Sequence, residues 1–260
     1  MSSSNKILTF TSLENIPNIK IGDNLSEILI NSLNNQSIKL QDGDVIVLAQ
    51  KIVSKTEGRL VNYSQIIPSK EAVKLARITQ KDARFIELVL CESKKVIRAK
   101  NNTLIVEHKN GFICANAGID HSNVVQVGED SENWVLLLPE DADKSAKGIR
   151  MRLQEYYRVR VGVLIIDSHG RAWRNGTVGI TIGLSGLPGV VDLRGQEDLF
   201  GFRLKITTVG AADELAAGAS LLMGQAAEGT PCIHVRGFPY ELQEAALAEL
   251  IRPEELDLFR

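Results

Sequence analysis

Apolar residues recur along the chain at two spacings, and each spacing predicts one kind of element. Runs of consecutive or alternating apolar residues predict strands, whereas apolar residues three or four positions apart predict helices. The predicted strands are Ile7–Phe10, Asp44–Ala49, a hairpin over Asn102–Asn123 that turns at Lys109–Gly111, Leu136–Pro139, Val161–Ile166, Leu204–Val209 and Cys232–Gly237. The predicted helices are Leu25–Leu33, a helical stretch over Pro68–Cys91, Ala142–Tyr156 and a helix from Ala211 that stops at Gly224.

The order of these elements predicts an α+β protein with mixed sheets and flanking helices. The first strand is not followed by the G-x-G-x-x-G motif of a Rossmann unit, and the G-x-x-x-x-G-K-[ST] motif of a P-loop is absent from the sequence. We therefore expect neither a Rossmann nor a P-loop site. Because no repeat or Pro-, Gly- and Ser-rich linker divides the chain, residues 1–260 are predicted to form one domain.

The segment 161–186 carries the most informative chemistry, because a buried strand delivers Asp167 into a stretch rich in glycine and arginine. An Asp at a strand end can offer its carboxylate to Mg²⁺ or Mn²⁺. The glycines would let the backbone approach a ligand, and the arginines can neutralise phosphate. These residues are Gly176, Gly179, Gly183, Gly186, Arg171 and Arg174. A plain strand and turn would leave the same pattern.

A second carboxylate, Asp120, is predicted to leave the second strand of the hairpin, and His121, Ser122 and Asn123 follow it. Two such strand ends, brought together, could hold one or two divalent ions. His121 could hydrogen-bond to Asp120 from outside the metal shell, although a bystander role is the simpler interpretation. His169 could meet a phosphate or the substrate carboxylate, or it could serve a structural ion pair.

Polar side chains crowd two further segments. Donor groups follow the strand Asp44–Ala49, at Gln50, Lys51, Ser54, Lys55 and Arg59. Gln225 and Glu228, in a glycine-containing loop, could bind a cation or contact a nucleotide. A solvated face and an ordinary loop also explain these residues. His234, inside a predicted strand, is expected to be structural.

Composition and charge exclude several classes of protein. With 260 residues, of which 44% are apolar, the chain can bury a substantial core. A net charge of -2 without a block of Lys or Arg argues against a nucleic-acid binder or a polybasic membrane binder. Three widely spaced cysteines argue against a disulfide framework or a zinc site. Since no apolar run suggests secretion or a membrane span, we expect a cytoplasmic protein.

Several separate blocks, in the same order, resemble the coenzyme F420-0:L-glutamate ligase family, also called the F420 gamma-glutamyl ligases. The blocks are QKIVSKTEGR, NAGIDHSNV, VGVLIIDSHGRAWRNGTVGITIGLSG, DLFG, ADELAAGASLLMGQAAEGTP and VRG. The resemblance runs from about residue 10 to residue 237, nearly the whole chain. Because the chain ends soon after VRG, it resembles the stand-alone form of the ligase.

The resemblance implies a GTP-dependent ligase that adds L-glutamate to the terminal carboxylate of coenzyme F420-0 and can add further gamma-linked glutamates. It implies an acyl-phosphate intermediate, with GDP and phosphate as products. It also implies a divalent metal, Mg²⁺ or Mn²⁺, with K⁺ as a further candidate. The family's architecture implies two interwoven subdomains and a homodimer whose active site lies near the subunit interface. Neither a nucleic acid nor a membrane is expected as a partner.

By the same resemblance, the metal ligands are Asp120, Asp167, Ser168 and Gln225. Ser168 stands where the family commonly has Thr, and Gln225 stands where some members have Glu, which lowers the negative charge of the cluster. Catalytic roles fall to Asp120, Asp167, Lys55 and Arg171. The residues expected to contact GTP are Ile16, Pro17, Asn18, Ile19, Gln50, Lys51, Lys55, Asn123, Met223, Gly224, Gln225, Ala226, Ala227, Glu228, Gly229 and Thr230.

Two other functions stay open at this point. One is a ligase of the same chemistry that acts on a different acid or amino acid, because no residue specifies a deazaflavin ring. The other is a nucleotide-binding protein without catalysis, which the presence of Asp120, Asp167 and Lys55 disfavours.

Overall fold

The computed structural model describes residues 6–124 and 131–258. Strands and α-helices are interspersed along these ranges. The strands are β1 Thr9–Ser12, β2 Val45–Ala49, β3 Leu60–Asn62, β4 Ser93–Lys100, β5 Thr103–His108, β6 Ile113–Ala115, β7 Trp134–Leu136, β8 Gly162–Arg171, β9 Arg174–Ser185, β10 Val191–Asp192, β11 Thr208–Val209 and β12 Cys232–Arg236. The helices are α1 Leu25–Asn35, α2 Gln50–Thr56, α3 Lys70–Thr79, α4 Ala83–Cys91, α5 Ala142–Tyr157 and α6 Ala211–Met223.

A mixed five-stranded sheet in the order β1-β12-β2-β8-β9 forms the centre of the fold. Only the β2–β8 pair is parallel within this sheet, while its other neighbours run antiparallel. The side chains of β2 and the first part of β8 are almost fully buried, as continuous apolar runs require. The predicted α+β class with mixed sheets is therefore confirmed.

The strand that carries Asp167 is longer than its apolar run predicts. Instead of ending at Ile166, β8 continues to Arg171 and forms a long hairpin with β9. The continuation holds because antiparallel pairing with β9 satisfies the backbone groups of the polar half of β8. The prediction that Asp167 ends its strand is therefore wrong.

The glycines after Asp167 lie in or beside β9, in agreement with the plain strand-and-turn interpretation. A Cβ atom at Gly179 would lie 2.5 Å from the Ser220 Cβ and 2.6 Å from the Ala216 carbonyl oxygen, both in α6. A Cβ atom at Gly183 would overlap Ala142 at the start of α5. These two glycines thus let helices approach the sheet closely, which is a packing role.

A second sheet of three antiparallel strands, β4-β5-β6, has α3 and α4 as neighbours. The predicted hairpin exists, but β6 ends at Ala115 and a 3-10 turn follows over Asn116–Gly118. Asp120 lies beyond that turn, where it forms an isolated antiparallel bridge with Leu136. The prediction that Asp120 ends the hairpin strand is therefore wrong, although backbone hydrogen bonds to Leu136 still hold it in place.

Three other predicted strands differ in extent. The first strand begins two residues later than predicted, and the strand predicted at Leu136–Pro139 is observed as β7. Of Leu204–Val209, only Thr208 and Val209 form a strand, paired with β10. Between β10 and β11, residues 193–207 expose large apolar side chains, including Leu199, Phe200 and Ile206. No helix in the described ranges is long and apolar enough to cross a membrane.

Candidate functional site

The topology brings most of the predicted site residues to one end of the central sheet. Ala49 at the end of β2 pairs with Ile166 of β8, and Leu48 pairs with Cys232 at the start of β12. The Leu13 amide, just after β1, donates to the carbonyl of Cys232. Four segments therefore meet at this end: residues 16–19 after β1, helix α2, the middle of β8, and the loop 224–231 before β12.

Asp120 lies against the first turn of α2. Its Oδ2 atom accepts a hydrogen bond from Gln50 Nε2 at 2.6 Å and lies 3.5 Å from Lys51 Nζ. Gln50 is held in turn by the Ser54 hydroxyl, which donates to Gln50 Oε1 at 2.9 Å. Because Gln50 and Ser54 are buried, the solvated-face interpretation of this segment does not apply to them.

The electrostatics of Asp120 are unfavourable for a carboxylate. Burial raises its pKa, and the negative charge of Asp167 raises it further, whereas Lys51 and Gln50 act in the opposite direction. The net result is a pKa of about 6, against an ordinary value of 3.8. The two carboxylates predicted to form one site therefore interact electrostatically, and the positive charge nearby compensates them only in part.

The Asp167 carboxylate is contacted by His169, a residue of the same strand. His169 Nε2 lies 2.9 Å from Asp167 Oδ2, and the two side chains are 7% and 11% exposed. The neighbouring Ser168 hydroxyl donates to Gln225 Oε1 at 2.7 Å, and Gln225 Nε2 donates to Ser220 Oγ at 3.2 Å. The predicted metal ligands Ser168 and Gln225 are therefore in direct contact.

The loop after α6 is shaped by its own hydrogen bonds. The helix ends at Met223, and Gly224 has φ +72°, a conformation that favours glycine. Glu228 Oε2 accepts from the amide of Ala226 at 2.7 Å, and this and neighbouring backbone hydrogen bonds lower the Glu228 pKa. The Thr230 hydroxyl donates to the Met223 carbonyl at 2.9 Å, which closes the loop. Gln225, Ala226 and Ala227 are exposed at its tip.

Two lysines and Asn123 connect α2 to this loop. Lys51 Nζ donates to the Ser122 carbonyl at 3.0 Å, and Lys55 Nζ donates to the Asn123 carbonyl at 2.8 Å. The Asn123 side chain donates to the Ala226 carbonyl at 2.8 Å. Burial and the positive charge of Lys51 both lower the pKa of Lys55. An anion bound beside the two ammonium groups would relieve their repulsion.

The predicted site residues outside this network fall into two groups. Ile16–Ile19 follow β1, where Ile19 is buried and Pro17 and Asn18 are exposed. The loop that follows is attached to α2, because the Gly22 amide donates to the Thr56 carbonyl. Arg171, by contrast, is exposed four residues beyond Asp167, which at strand rise is about 13 Å along the strand. Its catalytic role stays a prediction.

The oxygen-bearing side chains predicted as metal ligands are of a kind that suits a hard divalent cation. No group of three His, Cys, Asp or Glu side chains suited to a metal occurs in residues 6–124 or 131–258. The candidate set instead combines two carboxylates with the Ser168 hydroxyl and the Gln225 amide oxygen, which are ligands that Mg²⁺ and Mn²⁺ accept. The raised pKa of Asp120 supports this fit, because a cation between two carboxylates would remove the repulsion that raises it.

Comparisons with a family model and with individual proteins point to the same family. The family model described as F420-0:Gamma-glutamyl ligase matches residues 14–237. The coenzyme F420:L-glutamate ligase of Methanothermobacter thermautotrophicus is 41% identical over 255 residues, which cover 97% of this chain and 99% of that protein. The enzymes of the same name from Methanocaldococcus jannaschii and Archaeoglobus fulgidus are 41% and 40% identical, and each alignment covers 94% of the relative. The chain belongs to the F420-0:gamma-glutamyl ligase family.

Two histidines have the surroundings that the simpler interpretation predicts, and a third contacts a predicted metal ligand. His121 packs against the rings of Phe85 and Tyr63, at centroid distances of 5.2 and 6.2 Å. His169 is the histidine that contacts a predicted metal ligand. The signal for this was present, because residues two apart in a strand share a face, but it depends on recognising that β8 continues past Asp167. His234 is structural, as predicted, since it hydrogen-bonds to buried Asp44 at 2.8 Å.

Proposed function

We propose that this chain is a GTP-dependent ligase that joins L-glutamate to the terminal carboxylate of coenzyme F420-0 and can add further gamma-linked glutamates. Membership of the family and the names of its relatives support the glutamate and F420 substrates. The observation that carries the proposal is the position of Asp120 near Asp167, a carboxylate from a distant part of the chain whose negative charge, after burial, raises the pKa of Asp120. A purely structural pair would be compensated by fixed partners.

The two lysines of α2 suit the phosphates of GTP. Lys51 and Lys55 are one helical turn apart, so their ammonium groups lie on the same side of the helix. Both also touch the segment that follows Asp120. We assign to them the neutralisation of phosphate charge, and to Asn123 and the loop Met223–Thr230 the contacts that hold the nucleotide. GTP dependence rests on the resemblance of these positions to the family's GTP-contacting residues.

The reaction needs positioning and charge neutralisation more than a protein nucleophile. The substrate carboxylate would attack the γ-phosphorus of GTP, the bond from that phosphorus to the β–γ bridging oxygen would break, and GDP would leave. The glutamate amine would then attack the acyl phosphate, phosphate would leave, and the amine proton would pass to solvent.

Asp120, Asp167, Ser168 and Gln225 would hold the divalent metal. Bound there, Mg²⁺ or Mn²⁺ would supply electrostatic stabilisation of the phosphoryl oxygens. Gln50 and His169 each hold one oxygen of a carboxylate, so both carboxylates have a defined orientation. K⁺ is a further candidate cofactor.

We also propose that the ligase is a homodimer, as the resemblance implies. The apolar arm of residues 193–207 supports this, because Leu199, Phe200 and Ile206 are each at least 87% exposed and a second copy would cover them. Light scattering on the eluted peak, for the wild type and Phe200→Asp, tests this directly. A dimer that becomes a monomer in the variant is expected, and a monomeric wild type would contradict the proposal.

Mass spectrometry of reaction products tests the ligase proposal. The purified protein is incubated with F420-0, L-glutamate, GTP and Mg²⁺ or Mn²⁺, beside Asp167→Ala and a reaction with ATP in place of GTP. We expect mass increments of one or more glutamyl residues with GTP only, and none in the variant. A folded wild type that binds GTP but adds no glutamate would refute the F420-0 substrate, and full activity without GTP would refute the nucleotide assignment.

A further inference from the structure

His169 occupies a position from which it can control Asp167. The two residues are separated by one position in β8, so their side chains leave the strand on the same face. The His169 ring is 7% exposed, and its Nε2 atom lies 2.9 Å from Asp167 Oδ2. A contact of this length between a ring nitrogen and a carboxylate oxygen is a hydrogen bond in which the ring donates.

The other ring nitrogen indicates which one carries the N–H group of His169. Within the described residues, His169 Nδ1 is buried and has no hydrogen-bond partner. A proton on Nδ1 would be a buried donor without an acceptor, which is unfavourable. The geometry therefore favours the ring with its N–H group at Nε2, directed at Asp167. This N–H donor orients the Asp167 carboxylate.

Aromatic packing holds the His169 ring from the second sheet. Phe112, at the β5–β6 turn, lies 5.5 Å from the His169 ring, centroid to centroid. On its other side, Phe112 is stacked on His108 at 5.1 Å with an interplanar angle of 6°. Phe112 and His108 are both buried, so the second sheet restrains the ring that binds Asp167.

We propose that His169 is a positioning residue: its Nε2–H group fixes one oxygen of Asp167 and thereby sets the affinity of the site for a divalent cation. The inference rests on the proposed function, in which Asp167 is a metal ligand. It assigns His169 no contact with substrate or with the reacting atoms.

Binding of Mn²⁺ alone, measured by the electron paramagnetic resonance signal of the free ion, tests the proposal without substrates. The variants are His169→Gln, whose amide nitrogen can reach the position of Nε2, and His169→Asn, whose amide is too short to reach Asp167. We expect His169→Asn to bind Mn²⁺ about 10- to 100-fold more weakly and His169→Gln to stay within about 3-fold of the wild type. Asp167→Ala serves as the reference for loss of the site.

The variants distinguish a failure of the His169 inference from a failure of the proposed metal site. If Asp167→Ala binds Mn²⁺ as the wild type does, the metal assignment of the proposed function fails. If Asp167→Ala loses binding while His169→Asn retains it, only the role of His169 fails. Equal losses in the Asn and Gln variants would show that packing, and not the hydrogen bond, is responsible, which also overturns the inference.

A second measurement uses the wild-type protein and so does not depend on how the variants fold. A long-range ¹H–¹⁵N spectrum of histidine-labelled protein distinguishes the two neutral tautomers of each ring. We expect His169 to be the Nε2–H tautomer, and an Nδ1–H tautomer would overturn the proposal.

Discussion

Asp44 is buried and Asp120 half-buried, they lie near opposite ends of β2, and their pKa values are shifted in opposite directions. Asp44 precedes the strand and is 1% exposed. It accepts hydrogen bonds from His234 at 2.8 Å, from Arg236 at 2.7 and 3.0 Å, and from the Gln41 amide at 2.9 Å. Burial alone would raise its pKa, but these partners outweigh burial and lower the pKa to about 2.

Asp120 contacts Gln50 and Lys51, which follow β2, and its surroundings shift its pKa in the opposite direction. Burial and the charge of Asp167 outweigh Lys51 and Gln50, so its pKa rises to about 6. The same residue type thus serves two purposes in one sheet. A buried carboxylate with a full set of fixed donors stabilises the fold, whereas Asp120, near a second carboxylate, is compensated only in part by Lys51, which favours a bound cation.

Removing the Asp167 carboxylate, a predicted metal ligand, should have the largest effect on activity. We expect Asp167→Ala to lower the rate of glutamate addition by about 1,000-fold, equivalent to about 4 kcal/mol of activation free energy. The reason is that the site would lose half of its carboxylate charge. Single-turnover product formation measures the effect, and Asp44→Asn, compared per folded molecule, is the matched control, expected within about 3-fold of the wild type. Equal losses of activity in both variants would contradict the distinction between a metal-binding and a structural carboxylate.

Removing the Asp44 carboxylate, which lies just before β2, should have the largest effect on stability. We expect Asp44→Asn to lower the free energy of unfolding by about 3 kcal/mol, because it leaves the buried side of Arg236 and His234 without a charged acceptor. Urea denaturation at pH 7 measures the change. A difference below about 1 kcal/mol would mean that the ion pairs of Asp44 with His234 and Arg236 do not stabilise the fold.

The pH dependence of that stability is a somewhat smaller effect. The Asp44 pKa is about 2 in the fold and 3.8 for the unperturbed residue, so its ionised form stabilises the fold above pH 3.8, and this contribution is lost as the pH falls through about 2. We expect the difference between wild type and Asp44→Asn to be constant from pH 7 to 5 and to shrink by about 2 kcal/mol by pH 2. Denaturation curves at a series of pH values measure it. A difference that does not change would contradict the lowered pKa.

The smallest effect concerns the hydroxyl beside Asp167. We expect Ser168→Ala to weaken Mn²⁺ binding by about 10-fold, because a neutral oxygen ligand and the contact to Gln225 are lost together. Ser168→Thr keeps the hydroxyl and should bind as the wild type does. Isothermal calorimetry with Mn²⁺ compares the two, and equal affinity in the Ala variant would remove Ser168 from the site.

The sequence is informative about the fold where an element depends on its own residues. The apolar runs of β2 and β8 and the spacing of α5 and α6 are of this kind, and each is present at nearly the predicted position. The continuation of β8 past Asp167 depends on pairing with β9, and single-strand periodicity does not contain that information. The packing roles of Gly179 and Gly183 are absent from the sequence pattern for the same reason, because only the helices packed against them explain a glycine within a strand.

The site is predictable in its parts but not in its connections. Asp120, Asp167 and the donors of α2 are visible as charged residues next to apolar runs. Their meeting depends on the parallel pairing of β2 with β8 and on the bridge between Asp120 and Leu136, which join residues far apart in the chain. His169, and not the histidine next to Asp120, contacts a carboxylate of the site, because the contact depends on which ring faces the carboxylate.

The most direct test of the contrast between the two carboxylates is the free energy of unfolding of Asp120→Asn and Asp44→Asn in chelator-treated buffer at pH 8. The Asp120 pKa is raised from 3.8 to about 6, so its ionisation destabilises the metal-free fold, to an extent that grows between these values and is complete above them. We therefore expect Asp120→Asn to be more stable than the wild type by about 2 kcal/mol, and Asp44→Asn to be less stable by about 3 kcal/mol. Added Mn²⁺ should stabilise the wild type but not Asp120→Asn. If both variants were destabilised alike and Mn²⁺ had no effect on either protein, Asp120 would be a structural carboxylate and the proposed metal site would be wrong.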